Sequence, residues 1–210
     1  GGRMACGVTR PGTREPGVRG LRAWALVQGA ALAFWQSDYS AVHPALEEAL
    51  AIFRELGDKR SIARTLTDLG DVAREEGDYD TSALLCEQAL SICRELGDKH
   101  GTVLSLVLLG WAEMRPGYYP QATEHLEEGL ALARQLQIQN RVALALSALG
   151  EVMVRQGMYE KAISLLEESL AIRRATGYRW GTAATLGTLG WAALRRGDLK
   201  RASEMLMESL

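Results

Sequence analysis

Apolar residues recur along the chain with the spacing of amphipathic helices. Within residues 60–96, two runs of apolar positions repeat at steps of three and four, which is the period of one face of an α-helix. The first run consists of Ile62, Leu66, Leu69, Val72 and Ala73, and the second consists of Ala83, Cys86, Ala89, Leu90 and Cys93. Between the runs, Gly77 is suited to end the first helix and Asp78 to cap the second. The pattern therefore predicts two consecutive helices joined by a short turn.

This pattern returns every forty residues. The hexapeptide RELGDK occupies residues 54–59 and again residues 94–99. A Leu-Gly pair, a second glycine and a tyrosine fall on the same grid: pairs at 69–70, 109–110, 149–150 and 189–190; glycines at Gly77, Gly117, Gly157 and Gly197; and Tyr79, Tyr119 and Tyr159, with Leu199 in the corresponding later place. Features registered in this way predict an array of helix pairs. The units are expected at about 19–58, 59–98, 99–138 and 139–178, with a truncated fifth unit at 179–210.

A glycine stands inside the predicted first helix of four units. These glycines are Gly70, Gly110, Gly150 and Gly190. Glycine in a helix interior is less favourable than alanine by about 1 kcal/mol. A chain that keeps one in each unit is expected to use it where two helices approach closely, because a side chain there would hold them apart.

These positions resemble the signature of the tetratricopeptide repeat family, and the resemblance covers about residues 18–210. The matching residues are the Leu-Gly pair, the Gly-x-Tyr turn, a small residue at Ser82, Ala122, Ala162 and Ala202, and another at Ala89, Gly129, Ser169 and Ser209. The usual unit has about 34 residues. The longer unit of this chain is similar to the branch found in kinesin light chains, G-protein-signalling scaffolds and the C-terminal arms of bacterial regulatory ATPases and cyclases. The resemblance implies an all-α fold, a right-handed α-α superhelical solenoid of tetratricopeptide-type helix hairpins.

Composition narrows the class of partner. The chain has 24 basic and 26 acidic residues, a net charge of −2, whereas a nucleic-acid surface needs a clear basic excess. No apolar run approaches the roughly 18 residues of a membrane span. Three cysteines are too few and too irregular for a disulfide framework, which favours a reducing compartment, the cytoplasm. Residues 1–16, rich in glycine and arginine, are predicted to be a disordered linker or residues added for expression.

Catalytic and metal-binding patterns are missing from the sequence. The three histidines, His43, His100 and His125, fall at different places in the repeat and pair with no neighbouring cysteine or aspartate. Phosphate-binding and nucleophile motifs are absent as well. We therefore predict a protein that is not an enzyme, with no metal and no cofactor.

The resemblance implies that ligands bind on the concave side, which the first helices of such an array line. The predicted groove residues are Arg64, Asp68, Asp71, Arg74, Leu104, Trp111, Met114, Arg115, Glu151, Arg155, Trp191 and Arg195. Trp111, Met114 and Trp191 would be apolar anchors, since tryptophan is enriched where binding energy concentrates. The arginines would orient an acidic ligand. Alternatively, the tryptophans fill gaps between repeats and the arginines suit the C-terminal ends of helices.

The predicted function is that of a protein-binding or peptide-binding scaffold that uses this groove. Two alternatives come from other classes. The array could be a ligand-sensing arm of a larger bacterial signal-transduction protein, such as a regulatory ATPase or a cyclase. It could also be a self-association module that stacks through its truncated C-terminal edge.

Overall fold

The computed structural model describes residues 16–36 and 38–209. The predicted linker at 1–16 lies outside these residues, apart from Pro16, with which the first helix begins. The described residues form ten helices: α1 (Pro16–Trp35), α2 (Tyr39–Leu56), α3 (Lys59–Glu76), α4 (Tyr79–Glu95), α5 (Lys99–Met114), α6 (Tyr119–Gln135), α7 (Gln139–Arg155), α8 (Tyr159–Ala175), α9 (Arg179–Arg196) and α10 (Leu199–Glu208). The chain divides inside α3 into two compact units, an N-terminal unit (Gly1–Thr65) and a C-terminal unit (Leu66–Leu210).

In the N-terminal unit, α1 and α2 pack together along one apolar face each. The buried residues of this face are Ala23, Val27 and Ala30 from α1 and Val42, Leu46, Ala49 and Phe53 from α2. Trp24 meets Phe53 edge to face, with 5.6 Å between ring centroids. The guanidinium of Arg64 lies 5.2 Å from the centroid of the Trp24 ring on the same unit. This contact is a cation–π interaction, which stabilises most where the pair is shielded from water.

The C-terminal unit is a succession of helices that contact their neighbours in chain order, from α4 to α10. The first helices α5, α7 and α9 also contact one another, α5 with α7 and α7 with α9. Because neighbours cover α5 and α7 on several sides, most of their residues are buried. Their apolar side chains form one cluster with those of α6, including Val107, Leu126, Leu146 and Val152.

The mid-helix glycines lie where a first helix meets the second helix of its own pair. A Cβ added to Gly110 would lie 2.5 Å from Cγ of Leu126, and one added to Gly150 would lie 2.6 Å from Cγ of Leu166. Gly70 and Gly190 face Cys86 and Leu206 at 2.8 and 2.7 Å in the same way. The predicted close approach is confirmed at all four positions, because no side chain larger than hydrogen fits without displacing its neighbour.

The turn between α3 and α4 follows the predicted chemistry. The carboxylate of Asp78 accepts a hydrogen bond from the backbone N–H of Thr81 at 3.1 Å, so its predicted role as a helix cap is confirmed. At the turn after the second helix of each pair, Gly57, Gly97 and Gly177 adopt the left-handed conformation. Gln137 occupies the corresponding place with a φ of 56°. A side chain there is strained, since left-handed backbone is unfavourable for residues other than glycine.

Exposed ion pairs join the second helices of successive pairs at a constant sequence separation. Arg94 pairs with Glu128 at 2.7 Å and Arg134 with Glu168 at 2.6 Å, and Arg174 pairs with Glu208. These side chains are about half exposed, so each pair is expected to contribute no more than about 1 kcal/mol. The pairs repeat because the arginine and the glutamate recur on the forty-residue grid.

Candidate functional site

Seven of the predicted groove residues of the C-terminal unit fall on two registers of the repeat, and Glu75 falls there as well. One register holds Asp71, Trp111, Glu151 and Trp191, and the register four residues later holds Glu75, Arg115, Arg155 and Arg195. Residues four apart lie on the same face of a helix. We call this surface of α3, α5, α7 and α9 the first-helix face. It alternates between acidic and aromatic residues along one register and is mostly basic along the other.

A cleft of 790 Å³ opens on this face between α7 and α9. It is lined by Glu151, Val154, Arg155, Gln156, Gly157, Tyr159, Gly187, Thr188, Trp191 and Arg195. Four of the residues predicted from the sequence therefore lie around one cavity. The lining contains two arginines and one glutamate, which leaves one net positive charge in the cleft.

Glu151 is shared by two arginines. Its carboxylate accepts a hydrogen bond from Arg155 at 3.2 Å, one helical turn along α7. The guanidinium of Arg115 from α5 approaches the same carboxylate oxygen at 3.7 Å. Both arginines thus already have a carboxylate partner, which weakens their attraction for the anionic group of a ligand.

Arg195 differs from these two arginines. Among the residues that the structure describes, no carboxylate lies within ion-pair distance of its guanidinium, and the residue four positions earlier is Trp191. Its Nε donates a hydrogen bond to the hydroxyl of Tyr159 at 3.3 Å. Its guanidinium carbon lies 5.9 Å from the centroid of the Trp191 ring. These contacts hold the guanidinium in place at the edge of the cleft.

Arg74 has the opposite environment, being enclosed by acidic residues. It pairs with Asp71 at 2.6 Å and also with Glu75, and its guanidinium lies 5.2 Å from the centroid of the Trp111 ring. Burial lowers the pKa of Arg74, but the two carboxylates raise it by more, so the net shift is upward. This arginine is held in a closed ion-pair cluster above Trp111.

The two tryptophans that were predicted as anchors lie in different environments. Trp111 is half-buried, covered by Arg74 and packed against the apolar clusters of α4 to α7. The Trp191 side chain is 52% exposed and forms a wall of the cleft. The packing alternative therefore describes Trp111 better, whereas Trp191 is exposed at the cleft.

The prediction of Met114 as a surface anchor is wrong. Its side chain is only 1% exposed and belongs to the core cluster of α5, α6 and α7, because α5 has apolar residues on most of its circumference. Leu104 and Asp68 are half-buried on the first-helix face. Arg64 belongs to the N-terminal unit, where it contacts Trp24.

Residues that were not predicted from the sequence also line the cleft. Tyr159 supplies the hydroxyl that positions Arg195, and Val154 supplies an apolar side chain. The signal for Tyr159 was present in the repeat, since the Gly-x-Tyr turn places a tyrosine at the first residue of α4, α6 and α8. Trp180, in contrast, lines a second cavity of 530 Å³ with Arg173, Arg174 and Glu208 at the end of α10.

Arg173 is a buried charge away from the cleft. Its side chain is 5% exposed, and it donates hydrogen bonds to the hydroxyls of Ser169 and Ser147, both at 3.2 Å. Its guanidinium also lies 5.7 Å from the centroid of the Tyr178 ring. Burial lowers the pKa of Arg173. Gly181 leaves the space for this guanidinium, because a Cβ there would lie 1.8 Å from one of its nitrogens.

Two further properties bear on the class of site. In the part of the chain that the structure describes, no helix is long and apolar enough to cross a membrane, and no group of three or more potential metal ligands comes together.

On α10, Leu199, Leu206 and Met207 are exposed. Self-association through this region stays a prediction.

The sequence model of the tetratricopeptide repeat family matches residues 61–135 and 141–210, more than half of the chain. The chain therefore belongs to the tetratricopeptide repeat family. Among curated proteins, none matches it.

Solved structures with the same fold include three regulatory proteins. A Rap protein complexed with competence and sporulation factor has 18% sequence identity and a TM-score of 0.83, over 90% of this chain and 54% of that chain. NprR in complex with its cognate peptide NprX has 14% identity and a TM-score of 0.75, over 94% and 56%. A signal-transduction ATPase (STAND) protein with a tetratricopeptide repeat sensor from Pyrococcus horikoshii has 17% identity and a TM-score of 0.71, over 89% and 28%. The chain thus spans about half the length of the Rap protein and of NprR. The similarity of the folds confirms the predicted solenoid of tetratricopeptide-type hairpins.

Proposed function

We propose that this protein is a peptide-binding or protein-binding scaffold whose ligand lies on the first-helix face of the C-terminal unit. The observation that carries the proposal is the cleft between α7 and α9, where Trp191 and Arg195 stand beside an opening of 790 Å³. Tryptophan and arginine are both enriched among the residues that contribute most of the binding energy at interfaces.

The similar structures support the kind of ligand. NprR was solved with its cognate peptide NprX and the Rap protein with competence and sporulation factor, and both share the fold of this chain. The sparse cysteines, of which Cys86 and Cys93 are buried and form no disulfide, support a cytoplasmic location. A scaffold of this kind needs no catalytic group, since it acts by binding a partner.

The proposal is tested by selecting peptides from a random dodecapeptide library displayed on phage against the full chain. Trp191→Ala should reduce the binding of the selected peptides by about tenfold or more, because interface tryptophans often contribute 2 kcal/mol or more. Trp180→Ala is the matched control. Trp180 lies in the same helix and is 63% exposed, but it lines the other cavity.

The two variants separate a binding role from a general effect on the surface. Circular dichroism should show unchanged helicity for both, as each ring is more than half exposed. The proposal fails if the library yields no enriched peptide, or if peptides bind to Trp191→Ala as tightly as to the unchanged chain.

A second candidate function is that of a sensor within a larger signal-transduction protein. The match to the Pyrococcus horikoshii protein favours it, because this chain covers only 28% of that chain, which carries a tetratricopeptide repeat sensor. The test is the coding sequence on either side of these 210 residues. An ATPase, cyclase or DNA-binding domain there would support the sensor function, and a complete reading frame limited to the array would refute it.

A further inference from the structure

We propose that Arg195 binds one acidic side chain of the peptide, and that Glu151 limits the site to a single negative charge. The proposal rests on the proposed function, which supplies the peptide. It adds the chemical class of the residue recognised: an aspartate or glutamate that lies next to an apolar residue in the ligand.

Arg195 has the free donors that a carboxylate requires. A guanidinium carries five N–H donors, and Arg195 uses the one on Nε in its hydrogen bond to Tyr159. The donors on the two Nη atoms remain, and they are arranged as a fork that matches the two oxygens of a carboxylate. Since the described residues place no carboxylate at Arg195, the ligand would not have to displace one.

Trp191 makes the same place suitable for an apolar neighbour. Its ring is 52% exposed, and the guanidinium of Arg195 lies near its face at 5.9 Å from the centroid. An apolar side chain of the ligand placed against the ring would exclude water from the adjoining ion pair. Exclusion of water strengthens such a pair, because the effective dielectric constant falls.

Glu151 sets the limit on charge. It forms an ion pair with Arg155, so the residues that line the cleft keep one net positive charge although two of them are arginines. A ligand group with one negative charge balances this cleft. A phosphate group, with a charge of about −1.5 to −2 at neutral pH, would be repelled by the Glu151 carboxylate.

The experiment repeats the selection with the random dodecapeptide library on four forms of the full chain: unchanged, Arg195→Gln, Arg195→Lys and Arg134→Gln. Arg134→Gln is the matched control, because it removes one positive charge from an exposed ion pair between two second helices, away from the cleft. The frequency of aspartate and glutamate in the enriched peptides is the first readout. The second is the affinity of the best peptide and of a copy with its acidic residue changed to the amide, measured by fluorescence anisotropy.

We expect acidic residues to be enriched on the unchanged chain and on Arg134→Gln, and not on Arg195→Gln. The amide copy should bind about tenfold more weakly to the unchanged chain, since a hydrogen bond to a charged group contributes about 1.5 kcal/mol or more. On Arg195→Gln the two peptides should bind within about twofold of each other. On Arg195→Lys, the ratio of the two peptides' affinities should lie between these two values, because lysine keeps the positive charge but lacks the forked donors of a guanidinium.

A fifth form, Glu151→Gln, tests the limit on charge. A copy of the peptide with phosphoserine in place of the acidic residue should bind the unchanged chain more weakly than the acidic peptide does, and should gain affinity on Glu151→Gln. Enriched peptides without acidic residues, or equal enrichment of acidic residues on Arg195→Gln, would overturn this inference and leave the proposed function standing. A library that yields no peptide at all would overturn both.

Discussion

Gly150→Ala measures how much stability the close approach of α7 and α8 controls. The added Cβ would lie 2.6 Å from Cγ of Leu166 and 2.8 Å from its Cδ2. Ordinary carbon–carbon contacts lie at about 3.5–4.0 Å, so Leu166 has to move by about 1 Å. Leu166 is 0% exposed, and its displacement therefore disturbs the packed residues around it.

Two effects of opposite sign decide the result. Alanine is favoured over glycine in a helix interior by about 1 kcal/mol, whereas overpacking a core costs about 1–3 kcal/mol. Because the clash falls on the branching carbon of a buried side chain, we take the upper half of that range. The expected net effect is a loss of about 1–2 kcal/mol in the free energy of unfolding.

Gly187→Ala is the control for this measurement. Gly187 also lies inside a first helix, but a Cβ there would meet no atom within 4 Å, so the change should stabilise the protein by up to about 1 kcal/mol. Urea denaturation followed by circular dichroism at 222 nm compares the two variants. We expect their free energies of unfolding to differ by about 1–3 kcal/mol.

A double-mutant cycle with Leu166→Ala assigns the clash to one pair of residues. In the Leu166→Ala background the space is open, so Gly150→Ala should stabilise the protein by up to about 1 kcal/mol instead of destabilising it. If Gly150→Ala stabilises the unchanged protein as Gly187→Ala does, or if the cycle shows no coupling, the explanation of the repeated glycines by close packing is refuted.

Three further predictions concern single residues. Burial raises the pKa of Cys86 to about 12, so iodoacetamide at pH 8 should leave it unmodified in the folded protein and alkylate it in urea, as seen by peptide mass spectrometry; modification at the rate of a free cysteine would contradict this. Gln137→Gly should raise the free energy of unfolding by about 0.5–1 kcal/mol, because it relieves a positive φ of 56°; an unchanged or lower urea midpoint would show that the turn is not strained. Arg173→Met should be neutral or stabilising, since it replaces a buried charge that has only hydroxyl acceptors by an apolar side chain; a loss above about 2 kcal/mol in the same urea assay would show that these hydrogen bonds stabilise the fold.

The fold was predictable from the sequence because the repeat displays the same local chemistry several times. Gly77 and Asp78 indicate the turn and the helix cap in one unit. Because the units repeat every forty residues, the same helix pair is predicted in units whose own turn and cap signals are weaker. At Tyr118 and Met158, for example, the helix begins without a side-chain cap. The periodic signal was stronger than any local one.

The candidate site was predictable only in part. Helical spacing placed Glu151, Arg155, Trp191 and Arg195 on one face, and the structure groups them around one cleft. The same spacing placed Met114 there as well, and it is buried. On a helix such as α5, whose apolar residues extend around most of its circumference, periodicity does not distinguish the core side from the open side.

Residue spacing alone was enough to predict the helix pairs, their forty-residue period and the turn after the first helix, because these depend on spacing along one helix and on the conformations that glycine allows. Which arginines have a carboxylate partner depends on the tertiary structure. Arg115, Arg155 and Arg195 are equivalent in the repeat, yet two of them share Glu151, and the third contacts Tyr159 and Trp191. That difference arises from side chains on neighbouring helices, and their distances from one another are set by how the helices pack.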